Sequence, residues 1–181
     1  PSKPLKFLFV GRIIYTKGIL HAIKAISIAS LSNKITLDII GEGELLKECK
    51  NLVDQLSIAD IVRFHGRLPR DKVDDWYRNS DVFLFPSFRE PSGNVIFEAM
   101  GHGLPVITST IGGPGYIVNE SCGYTVEPDT TEEYSNKIAN TISDICKNPS
   151  LIPEKSQNAI ERVTDLSQWS RKANNLYRLN F

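Results

Sequence analysis

The stretch Leu5-Lys-Phe-Leu-Phe-Val-Gly-Arg-Ile-Ile-Tyr-Thr-Lys-Gly18 decides the fold. Leu5 to Val10 is a short, nearly continuous apolar run, as a strand buried on both faces of a parallel sheet requires. A turn bounded by Gly11 and Gly18 follows at once. Residues 18–31 then place Ile19, Ile23, Ile26 and Leu31 at helical spacing. Strand, glycine-bounded turn and amphipathic helix in direct succession open a βαβ unit.

The pattern repeats outward from there. Residues 35–40 read as a second strand, ended by Gly41-Glu-Gly43, and 44–57 as a helix. Residues 61–64 suit a strand and 71–79 a short helix after Pro69. Two buried strands, 82–85 and 106–108, flank a helix at about 94–102, and 123–126 adds an edge strand. From Thr131 the pattern is helical, with Pro149 and Pro153 expected to divide it and 169–179 forming the last segment. The reading is one domain over 1–181, a doubly wound α/β fold with a parallel, Rossmann-like sheet and extra C-terminal helices. Ligands are expected at the carboxyl ends of the strands.

Composition narrows the partners. Lysine plus arginine and aspartate plus glutamate both number 21, so no long-range field favours nucleic acid or an anionic membrane. An anion site must be local. The three cysteines, Cys49, Cys122 and Cys146, show no disulfide or zinc spacing, which points to a reducing, cytoplasmic home. No apolar run reaches the length of a membrane span, and no signal peptide is evident. Pro1 to Pro4 lead abruptly into the first strand, so the sequence reads as cut from something longer.

Four segments can carry chemistry. In Gly11-Arg-Ile-Ile-Tyr-Thr-Lys-Gly18, backbone N–H groups and a helix N-terminus meet where an anion can sit. Arg12 can fork onto phosphate oxygens and Lys17 adds a compact charge, although a solvated loop would look the same. The spacing matches neither a Walker loop nor a dinucleotide GxGxxG. In Glu90-Pro-Ser-Gly-Asn-Val-Ile-Phe-Glu98, Ser92, Gly93 and Asn94 suit the opening of a helix, with Glu98 about one turn inside it. The two carboxylates would then line one patch, able to hold sugar hydroxyls while backbone dipoles hold a diphosphate; ordinary helix-stabilising acids are the plain alternative. Phe64-His-Gly-Arg-Leu-Pro69 and Ser109-Thr-Ile-Gly-Gly-Pro-Gly115 place glycines at strand ends, bordering a crevice or making ordinary turns. His21, His65 and His102 stand apart without metal spacing, and Trp76, Tyr77 and Trp169 suit core packing.

In this order the segments resemble the C-terminal domain of the group 1 glycosyltransferases, family 4 of the retaining enzymes with GT-B architecture. The resemblance runs from about Leu5 to Trp169. It rests on GR-four-residues-KG, Gly41-Glu-Gly43, Val62-Arg-Phe-His-Gly66, Ser80-Asp-Val-Phe-Leu-Phe-Pro-Ser87, Glu-seven-residues-Glu with Ala99-Met100, Gly103-Leu-Pro-Val106 leading to Gly112-Gly113, and Leu166-Ser-Gln-Trp169. It implies that Gly11, Arg12 and Lys17 meet the donor diphosphate and that Glu90 contacts the transferred sugar. Glu98 would bind the ribose, Ser92, Gly93 and Asn94 would cap the phosphates, and Gly66, Arg67 and Leu68 would lie beside the base. The implied donor is a UDP- or GDP-sugar, with no metal and no cofactor.

The implied acceptor, a glycan or a lipid-linked group, would be held mainly by an N-terminal domain absent from these residues. The pathway would be polysaccharide or glycoconjugate biosynthesis, and the family leaves room for peripheral membrane association of a full-length protein. Two departures stand out: Pro91-Ser92 where many members have phenylalanine before the glycine, and Tyr116 where many have glutamate after the double glycine. A non-catalytic nucleotide- or glycan-binding module of the same descent is the alternative. A response-regulator-like domain fits the fold but leaves Arg12, Lys17, Glu90 and Glu98 unexplained.

Overall fold

A computed structural model describes residues 3–90 and 93–178, with side chains described up to residue 168. Strands β1 (Leu5–Val10), β2 (Ile35–Ile40), β3 (Val62–Phe64), β4 (Val82–Phe85), β5 (Val106–Ser109) and β6 (Gly123–Val126) form one sheet in the order β3-β2-β1-β4-β5-β6. Every pairing is parallel. Crossover connections carry α1 (Ile19–Ser30), α2 (Leu46–Gln55), α3 (Arg70–Arg78), α4 (Asn94–Gly101) and α5 (Gly112–Ile117), and α6 (Thr131–Lys147) and α7 (Ile152–Arg178) follow the last strand.

The apolar runs explain the layers. Phe7, Leu8, Phe9, Val82, Phe83, Leu84 and Phe85 are almost wholly buried, because the central strands have helices on both faces. Ile19, Ile23 and Ile26 turn one stripe of α1 to this core, and α1 packs chiefly against α6. Thr130 starts α6: its hydroxyl accepts the Glu133 N–H, and Glu133 reaches back to that hydroxyl. The strand order reverses between β1 and β4, where adjacent connections leave in opposite directions and open a crevice.

Two readings of the C-terminal half need correction. The glycines at 112–115 do not make a turn alone; they enter the short helix α5, which the low helix propensity of glycine and proline concealed. Pro153 does not divide the last helix. It is the second residue of α7, where its missing N–H has no intrahelical partner to lose, so the helix runs unbroken past residue 169. Pro149 does interrupt, opening a 3-10 turn between α6 and α7. The end of the expected segment, residue 179, lies outside the described residues.

Candidate functional site

The two loops leaving β1 and β4 are tied to each other. After Val10, the Gly11 N–H donates to the Ile40 carbonyl at 3.0 Å and the Ile13 N–H to the Glu42 carbonyl at 2.8 Å, so the first loop follows the end of β2. A 3-10 turn over Tyr15–Lys17 ends at Gly18, whose φ of 69° lies in the left-handed region. A Cβ there would stand 2.1 Å from the Pro86 carbonyl oxygen, so only glycine lets the loops approach this closely.

Buried hydroxyls complete the tie. Ser87 donates to the Thr16 carbonyl (3.0 Å), Ser109 to the Ser87 carbonyl (2.6 Å), Thr108 to the Phe85 carbonyl (2.8 Å) and Tyr134 to the Pro86 carbonyl (3.2 Å). Each satisfies a polar group that burial would otherwise penalise.

This bracing sets Lys17 beside Glu90. The Lys17 Nζ donates to Glu90 Oε2 at 2.5 Å and to the Arg89 carbonyl at 3.3 Å, and it stands 5.8 Å from the centre of the Phe85 ring. Glu90 Oε1 accepts the Gly93 N–H at 3.2 Å, just ahead of α4. The two side chains are only 13% and 11% exposed. A carboxylate thus bridges a cation and a helix N-terminus, the same two groups that an incoming phosphate would use.

Two adjoining cavities lie on the other side of β1. One cavity of about 440 Å³ is bordered by Gly11, Arg12, Glu42, Arg67 and Leu68. It adjoins another of about 580 Å³ that reaches Arg70 and Glu98, the two sharing Val10, Arg67, Leu68 and Val73. The Gly66 carbonyl accepts the Gly41 N–H at 2.8 Å. His65 Nε2 meets the buried Asp38 carboxylate at 2.7 Å while its ring packs on Trp76 at 4.1 Å, which fixes the start of the 66–68 segment. Glu98 holds Arg70 through a 3.0 Å bond to Nη2, a pair 36% and 82% exposed. A further cavity of about 520 Å³, bordered by Pro4, Leu31 and Ile58, sits at the amino ends of β1 and β2, away from the crevice.

The structure therefore groups the expected residues in two sets. Lys17, Glu90 and Gly93 form one; Gly11, Arg12, Arg67, Leu68 and Glu98 border the other, with Gly66 behind them. Lys17 and the Gly93 N–H hold Glu90, while Glu98 faces Arg70 of α3. Asn94 is the exposed first residue of α4, and Ser92 lies outside the described residues.

Arg70 and Val73 escaped the sequence reading, although an arginine opening a helix directly after Arg67-Leu-Pro69 was a usable signal. Tyr77, expected in the core, is there. It is 1% exposed, and no hydrogen bond forms on its hydroxyl among the described residues. Burial first, and then the Glu98 carboxylate, push this phenol's pKa well up.

The sheet order and the crevice between the β1 and β4 loops define a Rossmann-like domain of the kind that builds GT-B glycosyltransferases. The sequence pattern of the family described as glycosyl transferases group 1 matches residues 1–163, and the chain belongs to that family. An uncharacterized glycosyltransferase of Methanocaldococcus jannaschii is 34% identical over 138 residues, covering 76% of this chain and 35% of its own length. The chain spans about a third of the length of such curated relatives.

Two solved structures are similar. One is the C-terminal domain of a group 1 family glycosyl transferase from Francisella tularensis, 28% identical with a TM-score of 0.78, covering 90% of this chain and 87% of that one. The other, a pneumococcal O-GlcNAc transferase in complex with UDP and GlcNAc, has a TM-score of 0.82 at 20% identity, covers 97% of this chain and 36% of that one, and shows likeness of fold.

Proposed function

We propose that this chain is the donor-binding domain of a retaining glycosyltransferase that uses a nucleoside-diphosphate sugar. The observation that carries the reading is the Lys17–Glu90–Gly93 bridge at the β1/β4 crevice, set beside a cavity that ends in Glu98. Family membership supports sugar transfer, and resemblance to the retaining members supports retention. The pneumococcal protein of the same fold was solved with UDP and GlcNAc, which favours a donor of that chemical class.

In this reading the base lies along Arg67 and Leu68, and Glu98 accepts from the ribose hydroxyls. The diphosphate reaches Arg12, Lys17 and the backbone N–H groups at 92–94. As the bond from the anomeric carbon to the diphosphate breaks and the acceptor oxygen takes its place, negative charge grows on the leaving group. Arg12, Lys17 and the α4 N-terminus oppose that charge without a metal. Glu90, freed from Lys17 once a phosphate takes that lysine, turns to hydroxyls of the transferred sugar.

The acceptor, a glycan or a lipid-linked group, is held by an N-terminal domain of a longer, cytoplasmic protein serving polysaccharide or glycoconjugate synthesis. No described helix is long and apolar enough to cross a membrane. Transfer needs that second wall, because orienting the acceptor and excluding water supply roughly 7 to 11 kcal/mol of the barrier.

The test separates the two glutamates. Titration of UDP, GDP and their sugars should show Glu98→Ala weakening nucleotide and nucleotide-sugar alike. Glu90→Ala should keep plain nucleotide affinity and lose turnover in the full-length enzyme. Equal loss of nucleotide affinity in both variants would sink the assignment, and no binding of any donor by the unaltered chain would sink the function.

A further inference from the structure

Tyr77 lies on α3 seven residues after Arg70, on the helix face that also carries Val73. Arg70 and Val73 border the cavity with Glu98. The Tyr77 ring meets Phe83 edge-on at 5.8 Å and stacks on His102 at 5.1 Å with 25° between the planes. His102 stands one turn beyond Glu98 on the α4 side: its Nδ1 donates to the Glu98 carbonyl at 2.8 Å, and its Nε2 is 3.6 Å from Asp74 of α3. Arg70–Glu98 and Asp74–His102 therefore join α3 to α4 as two rungs, with the phenol ring stacked on the second.

Packing alone does not account for the hydroxyl. Among the described residues it is the one buried side-chain oxygen or nitrogen without a hydrogen-bond partner. A phenylalanine would fill the same space without leaving a polar group unmet. Because Tyr77 stacks on His102 and His102 bonds the Glu98 carbonyl, Glu98 lies between two neighbours of opposite kinds, an arginine in solvent and a phenol in the core, and its carboxylate raises the phenol's pKa.

We propose that Tyr77 is a positioning residue for Glu98: when a ribose diol enters the cavity, the carboxylate leaves Arg70, accepts the Tyr77 hydroxyl with one oxygen and presents the other to the sugar. Arg70 is the neighbour that yields, since a pair this exposed contributes little. The buried hydroxyl then gains its missing partner, and the carboxylate is fixed in direction as it meets the diol. This inference rests on the reading of Glu98 as the ribose ligand and assigns a further residue to the same grip.

Calorimetric titration with UDP, GDP and their 2′,3′-dideoxy counterparts tests it on the unaltered protein, Tyr77→Phe and Glu98→Ala, with thermal melting alongside. The unaltered protein should prefer the ribonucleotide. Tyr77→Phe should cut that preference by about tenfold or more, the worth of one hydrogen bond to a charged group, with dideoxy affinity unchanged and the melting temperature equal or higher. Two results would overturn the assignment: a preference retained in Tyr77→Phe but lost in Glu98→Ala, or equal weakening toward both nucleotides with a lower melting temperature. If the unaltered protein shows no preference, or Glu98→Ala keeps it, the ribose reading falls and the role of Tyr77 falls with it.

Discussion

The two halves of the candidate site are built to different tolerances. At the β1/β4 crevice, Lys17 and Glu90 are 13% and 11% exposed and stand on loops held by Gly18, Ser87 and Ser109. At the α3/α4 end, Arg70 and Glu98 are 82% and 36% exposed and are joined by one hydrogen bond. The difference sets what each half can do. A braced cation beside a helix N-terminus loses little freedom when an anion arrives, whereas an exposed pair can be exchanged at small cost. In the function proposed above, the crevice is preformed for charge, and the α3/α4 end can adapt to a neutral diol.

The strongest way to break that contrast is to unlock the crevice. Gly18→Ala forces a Cβ against the Pro86 carbonyl, 2.1 Å away, in a left-handed conformation that alanine resists. The variant should lose roughly 3 kcal/mol or more in urea unfolding and most of its nucleoside diphosphate binding. Stability within about 0.5 kcal/mol of the unaltered chain would mean that the two loops are not locked together.

Lys17→Ala removes a charge but leaves the loops in place. Glu90 keeps the Gly93 N–H, in a setting that shields it from water. Losing a charged contact to phosphate should lower UDP or GDP affinity by roughly 1.5 to 3 kcal/mol, with a smaller fall in stability. Calorimetry and urea unfolding on one preparation would separate the two effects. Unchanged affinity would place the phosphates elsewhere.

How legible the molecule was in its sequence depended on how local the determining physics is. The strand at Val82–Phe85 is a continuous apolar run, Leu5–Val10 is broken only by Lys6 and Val106–Ser109 opens on Val-Ile, so the sheet could be read almost to the residue. The helix at Gly112–Ile117 was hidden because residues of low helix propensity form it under tertiary constraint. In the site, Lys17 and Glu90 could be named from charge and spacing, but not their pairing, because it arises from two loops that meet across the β1/β4 boundary, 73 residues apart in the chain. Tyr77 was placed in the core and is there; that its hydroxyl lacks a partner shows only in three dimensions.

The smallest expected effect lies at the open end. Arg70→Ala removes an ion pair whose arginine is 82% exposed, and such pairs contribute about 0 to 1 kcal/mol, so unfolding should hardly change. Its effect on ligand is the sharper measurement. If Arg70 only occupies Glu98 while the cavity is empty, removing it frees the carboxylate for the ribose, and ribonucleotide affinity should hold or rise slightly. If Arg70 instead contacts the bound nucleotide, affinity should fall by an amount comparable to that seen for Lys17→Ala. Because Arg70 borders the same cavity as Arg67 and Leu68, the second outcome would extend the charged half of the site to α3 and erase the contrast between a braced, anion-binding end and an exchangeable one.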